Sequence, residues 1–157
     1  MYLQSLRPLV GHRPLLSPGI IAIVEDVAGA ILLHQKPDGS WNLPAGAMEL
    51  DESVFAALQR EVFEETGIRV IRARAFGVYS HPRYAVTYAN GDQVQYVGLA
   101  FHVEEWSGTP AADGDESIAV AFAPPDRALA LIASGDERRA LGDFLRHRDA
   151  LGVFVVD

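Results

Sequence analysis

Short apolar runs separated by turn residues divide much of the chain into predicted strands. Residues 20–24 and 30–33 are almost entirely aliphatic and flank a short polar connection, which predicts an antiparallel hairpin. Later runs rich in Val, Ile, Tyr and Phe predict further strands at residues 70–80, 85–88, 94–103 and 118–122. The dipeptide Asn90-Gly91 predicts a tight hairpin turn between two of these strands.

Two other segments have the pattern of helices. The first covers residues 53–66, which contain no Pro or Gly. Asp51 or Ser53 can cap its start, and Gly67 can end it in a left-handed conformation. The second begins near Asp136 and has an apolar side at helical spacing.

The elements follow the order strands, helix, strands, helix, with a predicted turn at residues 124–126 before the last helix. This order favours an α/β (α+β) fold in which a curved mixed sheet lies between helices. No internal repeat or linker-like stretch divides the chain. We therefore expect an N-terminal arm at residues 1–17 and a single domain at residues 18–157.

Composition narrows the chemistry of any functional site. The 157 residues include no cysteine, which excludes disulfides, thiolate metal sites and a cysteine nucleophile. A formal net charge of −8 argues against polymeric DNA as a partner. No apolar run approaches the roughly 20 residues that cross a bilayer, and the N-terminus lacks a signal-peptide pattern. We expect a cytoplasmic protein that does not bind membranes.

Three glutamates on the first predicted helix are the main candidates for chemistry. Glu61, Glu64 and Glu65 lie three and four positions apart, so their side chains occupy one narrow sector of the helix surface. The apolar positions of the same helix fall in that sector too, so we expect the three carboxylates to converge and to point partly inward. Arg60 can pair with Glu64, but one guanidinium cannot neutralise all three charges.

A hard divalent cation would offset this charge. Ligand sets made only of oxygen favour Mg²⁺, Mn²⁺ or Ca²⁺, and Mg²⁺ is our leading choice because it keeps positions open for water and phosphate. A solvated acidic helix face is the alternative interpretation.

The residues around this helix match a known pattern. The span Gly46-x5-Glu52-x7-Arg60-Glu61-Val62-x-Glu64-Glu65-x-Gly67-Ile68 resembles the signature of the MutT-like Nudix hydrolases at every specified position. The signature covers 23 residues, and the flanking strand pattern extends the resemblance to about residues 19–123. It implies a Nudix-type α/β/α sandwich with a metal site built on a loop, a helix and a second loop.

The resemblance also implies roles for individual residues. The metal ligands would be Glu61, Glu64 and Glu65, with the Ala45 carbonyl and Glu116 as further candidates, and the ion would be Mg²⁺ with Mn²⁺ able to substitute. Arg60 would hold the glutamates in place, while Gly46, Glu52 and Gly67 would shape the loops. The catalytic base is left open between a helix glutamate and Glu116, so the candidate catalytic residues are Arg60, Glu61, Glu64 and Glu116.

Two positions depart from common versions of the signature. Many members have Gly at the positions of Ala45 and Asp51. Ala and Asp exclude backbone conformations that Gly can adopt, which brings the flexibility of the loop into question without affecting the carboxylates.

The implied activity is metal-dependent hydrolysis of a diphosphate linkage in a small nucleoside diphosphate-linked substrate. The alternative is a non-catalytic nucleotide-sensing module on the same fold, although such a module would usually lack one of the glutamates. The pool of candidate substrate contacts is Tyr79, His81, Arg83, Tyr84 and Tyr88, for each of which strand packing or a surface role is an alternative. The arm leaves a homodimer open, and the sequence does not decide between ADP-ribose, dinucleoside polyphosphates, nucleoside triphosphates, coenzyme A and capped RNA.

Overall fold

The computed structural model describes residues 2–148 and the backbone of residues 154–156. In chain order the elements are α1 (Tyr2–Val10), β1 (Leu15–Val24), β2 (Ile31–Gln35), β3 (Trp41–Asn42), β4 (Ala45–Ala47), α2 (Val54–Thr66), β5 (Arg69–Tyr79), β6 (Val86–Thr87), β7 (Gln93–Ser107), β8 (Ala119–Ala123), α3 (Pro125–Leu131), α4 (Gly135–His147) and β9 (Phe154–Val156). A 3-10 turn at Pro82–Tyr84 lies between β5 and β6.

The strands form two sheets. The larger has six strands in the order β4-β1-β7-β5-β9, with β6 paired to β7. In this sheet β1 and β7 run parallel, whereas β5 and β6 run antiparallel to β7. The smaller sheet has three strands in the order β3-β2-β8. The mixed sheet predicted from the sequence is therefore present.

Strand β1 shows why the fold is a sandwich. Ile20, Ala22 and Val24 pack in an apolar cluster with residues of α2. Ile21 and Ile23, which point to the opposite face, pack in a second cluster with residues of α3 and α4. A strand that is covered on both faces has a continuous apolar run instead of an alternating one. This arrangement confirms the predicted α/β/α sandwich.

The hairpin predicted at residues 20–24 and 30–33 is wrong. β1 pairs with β4 and β7 in the larger sheet, while β2 pairs with β3 and β8 in the smaller one. A single bridge, Glu25 to Ile31, joins the two segments before they diverge. The apolar runs indicated that both strands are buried, but hydrophobicity alone does not specify which strand is the hydrogen-bonding neighbour.

Helix α2 confirms the predicted helix to within one residue. The Ser53 hydroxyl accepts the N–H of Ala56 and caps the start. Gly67 ends the helix with φ of 74° and donates its N–H to the Phe63 carbonyl. Both signals act over one helical turn, and for that reason the sequence alone fixes the limits of this element.

Asp51, one of the two departures from the common signature, has a φ of 63°. Gly adopts this left-handed region without steric cost, and Asp is among the few other residues that tolerate it. The loop before α2 therefore keeps the backbone shape for which Gly is common, at a modest conformational cost.

Other elements differ from the sequence prediction. β1 begins at Leu15, inside the arm predicted at residues 1–17, so the predicted boundary falls within a strand. Residues 2–10 of the arm form α1. The predicted turn at residues 124–126 is instead the start of α3, since Pro is well tolerated in the first turn of a helix. Asn90-Gly91 does form the turn between β6 and β7. In the part of the chain that is described, no helix is both long and apolar enough to cross a membrane.

Candidate active site

A cleft of about 870 Å³ opens beside α2. Its walls come from α1, β4, α2, the turn between β6 and β7, and the loop before β8. Glu61, Glu64, Glu65 and Glu116 all line it. The carboxylates that the sequence proposed for metal binding and catalysis therefore line one cleft, including the one that is 51 residues away from Glu65 in the chain.

Arg60 connects three of the signature glutamates. Its guanidinium donates to Glu52 at 2.8 and 3.1 Å, to Glu61 at 2.8 Å and to Glu64 at 3.1 Å. It also donates to the Ala47 carbonyl at 3.0 Å. The hydrogen bond to Glu52 raises the pKa of Arg60 and lowers that of Glu52, so both groups remain charged. Arg60 is thus an anchor for the carboxylates.

Glu52 fixes the junction between the loop and α2. One carboxylate oxygen accepts the N–H of Glu49 at 2.6 Å and the Arg60 guanidinium at 2.8 Å. The loop and the helix are therefore held by the same side chain. At the other end of the helix, Gly67 packs closely against the backbone of Ala111. A Cβ at Gly67 would lie 3.1 Å from the Ala111 carbonyl oxygen.

The three helix glutamates differ in environment. The Glu61 and Glu65 side chains are 11% and 6% exposed, whereas the Glu64 side chain is 44% exposed. Burial is the largest cause that raises the pKa of Glu61 and of Glu65 above the usual range, with neighbouring carboxylates adding to it. Buried carboxylates of this kind are stabilised by a bound cation, because a cation favours their charged form.

Gly46 allows the Glu61 carboxylate to lie directly against the backbone. A Cβ added at Gly46 would lie 2.0 Å from the Glu61 carboxylate carbon, well inside any allowed contact. The adjacent Ala45 is an ordinary strand residue paired with Ile21, and its N–H donates to Glu65 at 2.9 Å. The Ala45 departure therefore does not disturb the loop, and Gly46 is required because the carboxylate occupies the space of a side chain.

The carboxylates do not yet converge in the way that helical spacing predicts. Within residues 2–148, no three histidine, aspartate or glutamate side chains are close enough together to hold one metal ion. The Arg60 guanidinium instead bridges two of them, because one of its nitrogens contacts both Glu61 and Glu64. The donor set, all oxygen and partly buried beside Gly46, nevertheless fits a hard divalent cation once Glu64 turns away from Arg60.

The structure separates the five candidate substrate contacts. Tyr88 lines the cleft. Tyr79 does not, because it is 2% exposed within the core and its hydroxyl donates to the buried Asp143 carboxylate at 3.2 Å. The other three lie in or next to the 3-10 turn, outside the cleft lining, and contact one another: His81, Arg83 and Tyr84.

Several cleft residues have no counterpart in the sequence prediction. Tyr96 of β7 shares a 2.7 Å hydrogen bond between hydroxyl groups with Tyr88. Strand alternation after the Asn90-Gly91 turn was the signal that could have found it, since Tyr96 lies two residues from a residue paired with β6. Lys36 and the α1 residues Leu3, Gln4 and Arg7 also line the cleft.

Helix α1 is attached to the cleft by Arg7. The guanidinium donates to the Gln93 carbonyl at 2.9 Å and approaches the Asp92 carboxylate at 3.3 Å. It also donates to two carbonyls of the segment that follows the helix, Gly11 and Arg13. The predicted arm is therefore one wall of the cleft, a position for which the sequence carries no local signal.

A histidine that the sequence analysis did not single out also belongs to this region. His34 is fully buried in β2, its Nδ1 lies 2.7 Å from the Ser117 hydroxyl, and its Nε2 lies 3.4 Å from a Glu65 carboxylate oxygen. Burial is the main cause that lowers the pKa of His34 to about 4, so the imidazole is neutral near pH 7.

The family follows from comparison with known proteins. The family model described as the NUDIX domain matches residues 15–144. This chain belongs to the Nudix family. The match begins at the first residue of β1 and ends within α4, so it covers strands β1 to β8 and the whole signature span at residues 46–68 of this Nudix protein.

Individual proteins similar to this Nudix protein support the same family assignment. The chain is 35% identical over 114 residues to a MutT-like protein of Streptomyces ambofaciens, covering 72% of this chain and 67% of that one. It is 29% identical over 140 residues to a putative 8-oxo-dGTP diphosphatase of Bacillus subtilis, covering 88% and 87%. The crystal structure of a MutT NUDIX hydrolase from Burkholderia pseudomallei superposes with a TM-score of 0.64 at 29% identity, covering 82% and 97%. This Nudix protein is thus a pyrophosphohydrolase that acts on nucleotide-linked substrates.

A buried acid in α4 predicts how the stability of this Nudix hydrolase depends on pH. Glu137 of α4 is 7% exposed and accepts the N–H of Leu43 at 2.7 Å. Burial raises its pKa to about 8, from an ordinary value of 4.5. The folded protein therefore binds this proton more tightly than the unfolded chain, and stability present below pH 4.5 is lost as the pH rises towards 8.

Glu137→Gln should remove this loss, because the amide oxygen still accepts the Leu43 N–H but carries no charge. As the pH rises from acidic to mildly alkaline, we expect the unfolding free energy of the variant to increase by on the order of a few kcal/mol relative to that of wild type. Urea unfolding in EDTA across this range measures the difference. A constant difference at every pH would contradict the prediction, and the exposed Glu105→Gln serves as a control that should show none.

Proposed function

We propose that this protein uses Mg²⁺, with Mn²⁺ able to substitute, to hydrolyse the diphosphate linkage of a small nucleoside diphosphate-linked substrate in the cleft beside α2. The observation that carries the proposal is the pair of buried carboxylates, Glu61 and Glu65, placed against Gly46 at the wall of a cleft that also contains Glu64 and Glu116. Nudix hydrolases generally use a divalent metal ion.

The donor chemistry supports one set of candidate metal ligands. Glu61, Glu64 and Glu65 would hold the ion, with the Ala45 carbonyl and Glu116 completing the set of candidates. When bound, the ion would shield phosphate charge and lower the pKa of a coordinated water. Arg60 keeps Glu61 in place from the side of the loop and leaves the half-exposed Glu64 as the carboxylate most able to reach water or substrate.

The same cleft offers groups for the rest of the reaction. Glu64 or Glu116 would accept the proton of the attacking water, because both line the cleft. Lys36 lines it as well, and no ion pair within 4.0 Å is found for its ammonium group among the described residues, so it would take a substrate phosphate. Tyr88 and Tyr96 would stack with the base of the substrate.

A non-catalytic nucleotide sensor remains the second candidate function. The retained Glu61, Glu64 and Glu65 favour catalysis over this alternative, since a sensor needs no carboxylate to activate water. A dimer formed through α1 stays a prediction.

A substrate panel tests the proposal. Nucleoside diphosphate sugars, dinucleoside polyphosphates, nucleoside triphosphates, coenzyme A and capped RNA are each incubated with Mg²⁺, with Mn²⁺ or with EDTA, and the products are separated by chromatography. We expect cleavage of at least one small substrate with either metal and none in EDTA. Reaction in ¹⁸O-labelled water shows which phosphorus is attacked. Nucleotide binding without cleavage of any substrate would favour the sensor, and equal rates in EDTA would exclude the metal.

A further inference from the structure

His34 is a fully buried imidazole with one nitrogen that lacks a well-formed hydrogen bond. Nδ1 is paired with the Ser117 hydroxyl at 2.7 Å. Nε2 is buried and has no partner that meets hydrogen-bond geometry, yet it points towards Glu65, with a carboxylate oxygen at 3.4 Å. A buried polar atom without a partner is destabilising unless it serves a purpose, and this one lies next to a carboxylate of the cleft.

The partners of the ring indicate where its hydrogen lies. In a neutral imidazole one nitrogen donates and the other accepts. Ser117 can donate its hydroxyl hydrogen to Nδ1, which leaves the hydrogen of the ring on Nε2. The charged group beside Nε2, the Glu65 carboxylate, is an acceptor. The surroundings therefore favour an Nε2–H that can donate to Glu65.

We propose that His34 is a positioning residue whose Nε2–H orients the Glu65 carboxylate for divalent metal binding, with Ser117 fixing the tautomer; this rests on the proposed function in assigning Glu65 to the metal. Glu65 already accepts the Ala45 N–H with its other oxygen, Oε2. Held from two sides, Glu65 loses rotational freedom and keeps lone pairs directed at the cleft. Outer hydrogen bonds of this kind typically change metal affinity about 10–100-fold.

The same contacts couple the helix to the loop of Glu116. Ser117 follows Glu116 directly, and its N–H donates to the Asp113 carboxylate at 2.9 Å. Asp113 also accepts the N–H of Asp115 at 3.0 Å. The path from Glu65 through His34 to Ser117 thus joins two carboxylates of the cleft that come from distant parts of the chain.

Paired substitutions at His34 test the proposal. A Gln side chain can place its amide nitrogen where Nε2 lies, and an Asn side chain can place its amide near Nδ1. His34→Gln therefore keeps a donor to Glu65 and loses the bond to Ser117, whereas His34→Asn does the reverse. Mn²⁺ binding to the full chain without substrate is followed by electron paramagnetic resonance, and kcat and KM are measured separately with Mg²⁺.

We expect His34→Asn to weaken Mn²⁺ binding about 10-fold or more, and His34→Gln to remain within about 3-fold of wild type. Raising the metal concentration should largely restore the turnover of His34→Asn, and its KM for substrate should change little. Ser117→Ala should weaken Mn²⁺ binding in wild type but have no further effect in His34→Gln, where the link is already absent. Circular dichroism and melting temperature establish that each variant is folded.

Equal Mn²⁺ affinities of His34→Asn and His34→Gln, whether both normal or both weakened, would overturn the proposal and leave His34 a packing residue. If only one variant folds, the Ser117→Ala comparison decides, and a normal Mn²⁺ affinity there would overturn it. Wild-type protein that binds no Mn²⁺ and cleaves no substrate would instead remove the proposed function, so the two failures are distinguishable.

Discussion

Glu64→Gln should lower kcat by at least roughly 10²-fold while the protein stays folded. Gln has the same shape as Glu but can neither accept a proton at neutral pH nor supply negative charge to a cation. Its amide oxygen can still accept from Arg60, which now lies 3.1 Å from the carboxylate. Because Glu64 is 44% exposed, the substitution leaves no buried group unpaired, and we expect the melting temperature to stay near that of wild type.

The matched control is Glu105→Gln. Glu105 is 55% exposed, lies 3.7 Å from Arg72 and is not part of the cleft lining. It should keep wild-type kcat and KM, which separates the loss of a particular carboxylate from the loss of any surface charge. Steady-state kinetics with Mg²⁺ measures both variants. Near-normal turnover of Glu64→Gln would remove Glu64 from the mechanism and leave Glu116 as the candidate base.

Gly46→Ala is the second substitution for which we expect a large effect. The added Cβ would lie 2.0 to 2.2 Å from all three atoms of the Glu61 carboxylate, so that carboxylate has to move by more than an ångström. Misplacement on this scale costs about 10²-fold in rate when the group acts on a reacting centre. The end of the Glu61 side chain can rotate, so the fold should persist. Kinetics with Mg²⁺ and Mn²⁺ binding without substrate are the measurements.

Gly142→Ala provides the control for an added methyl group. Gly142 lies inside α4, and a Cβ there would meet its nearest atom, on Arg146, at an ordinary 3.5 Å. Replacing a helix-interior Gly by Ala should stabilise the protein by about 0.5–1 kcal/mol without changing kcat. Wild-type kcat and Mn²⁺ affinity in Gly46→Ala would show that the position of Glu61 is unimportant for the reaction.

Local signals were sufficient for the central helix. The Ser53 cap and the left-handed Gly67 act within one turn of α2, and the sequence predicted its limits to within one residue. Side-chain contacts between distant segments were not predictable in this way. The partners of His34 lie 31 and 83 residues away, and nothing in the aliphatic run around it indicates that its ring faces Glu65.

Strand patterns predicted burial but not which surface a side chain reaches. Tyr79 and Tyr88 both follow the pattern of strand aromatics, yet the first lies under α4 beside Asp143 and the second lines the cleft. The alternation of residues along a strand defines two faces. Which face meets a helix and which meets solvent depends on the packing of the other layers.

The amino-acid sequence by itself determined the chemical type of the site. Absence of cysteine, helical spacing of Glu61, Glu64 and Glu65, and the flanking glycines follow from composition and from geometry within a few residues of the chain. Only the tertiary structure decided that two of these glutamates are buried, that Arg60 bridges the third to one of them, and that α1 lines the cleft. The physical reason is that burial and long-range pairing result from covering both faces of every strand at once, which no local pattern encodes.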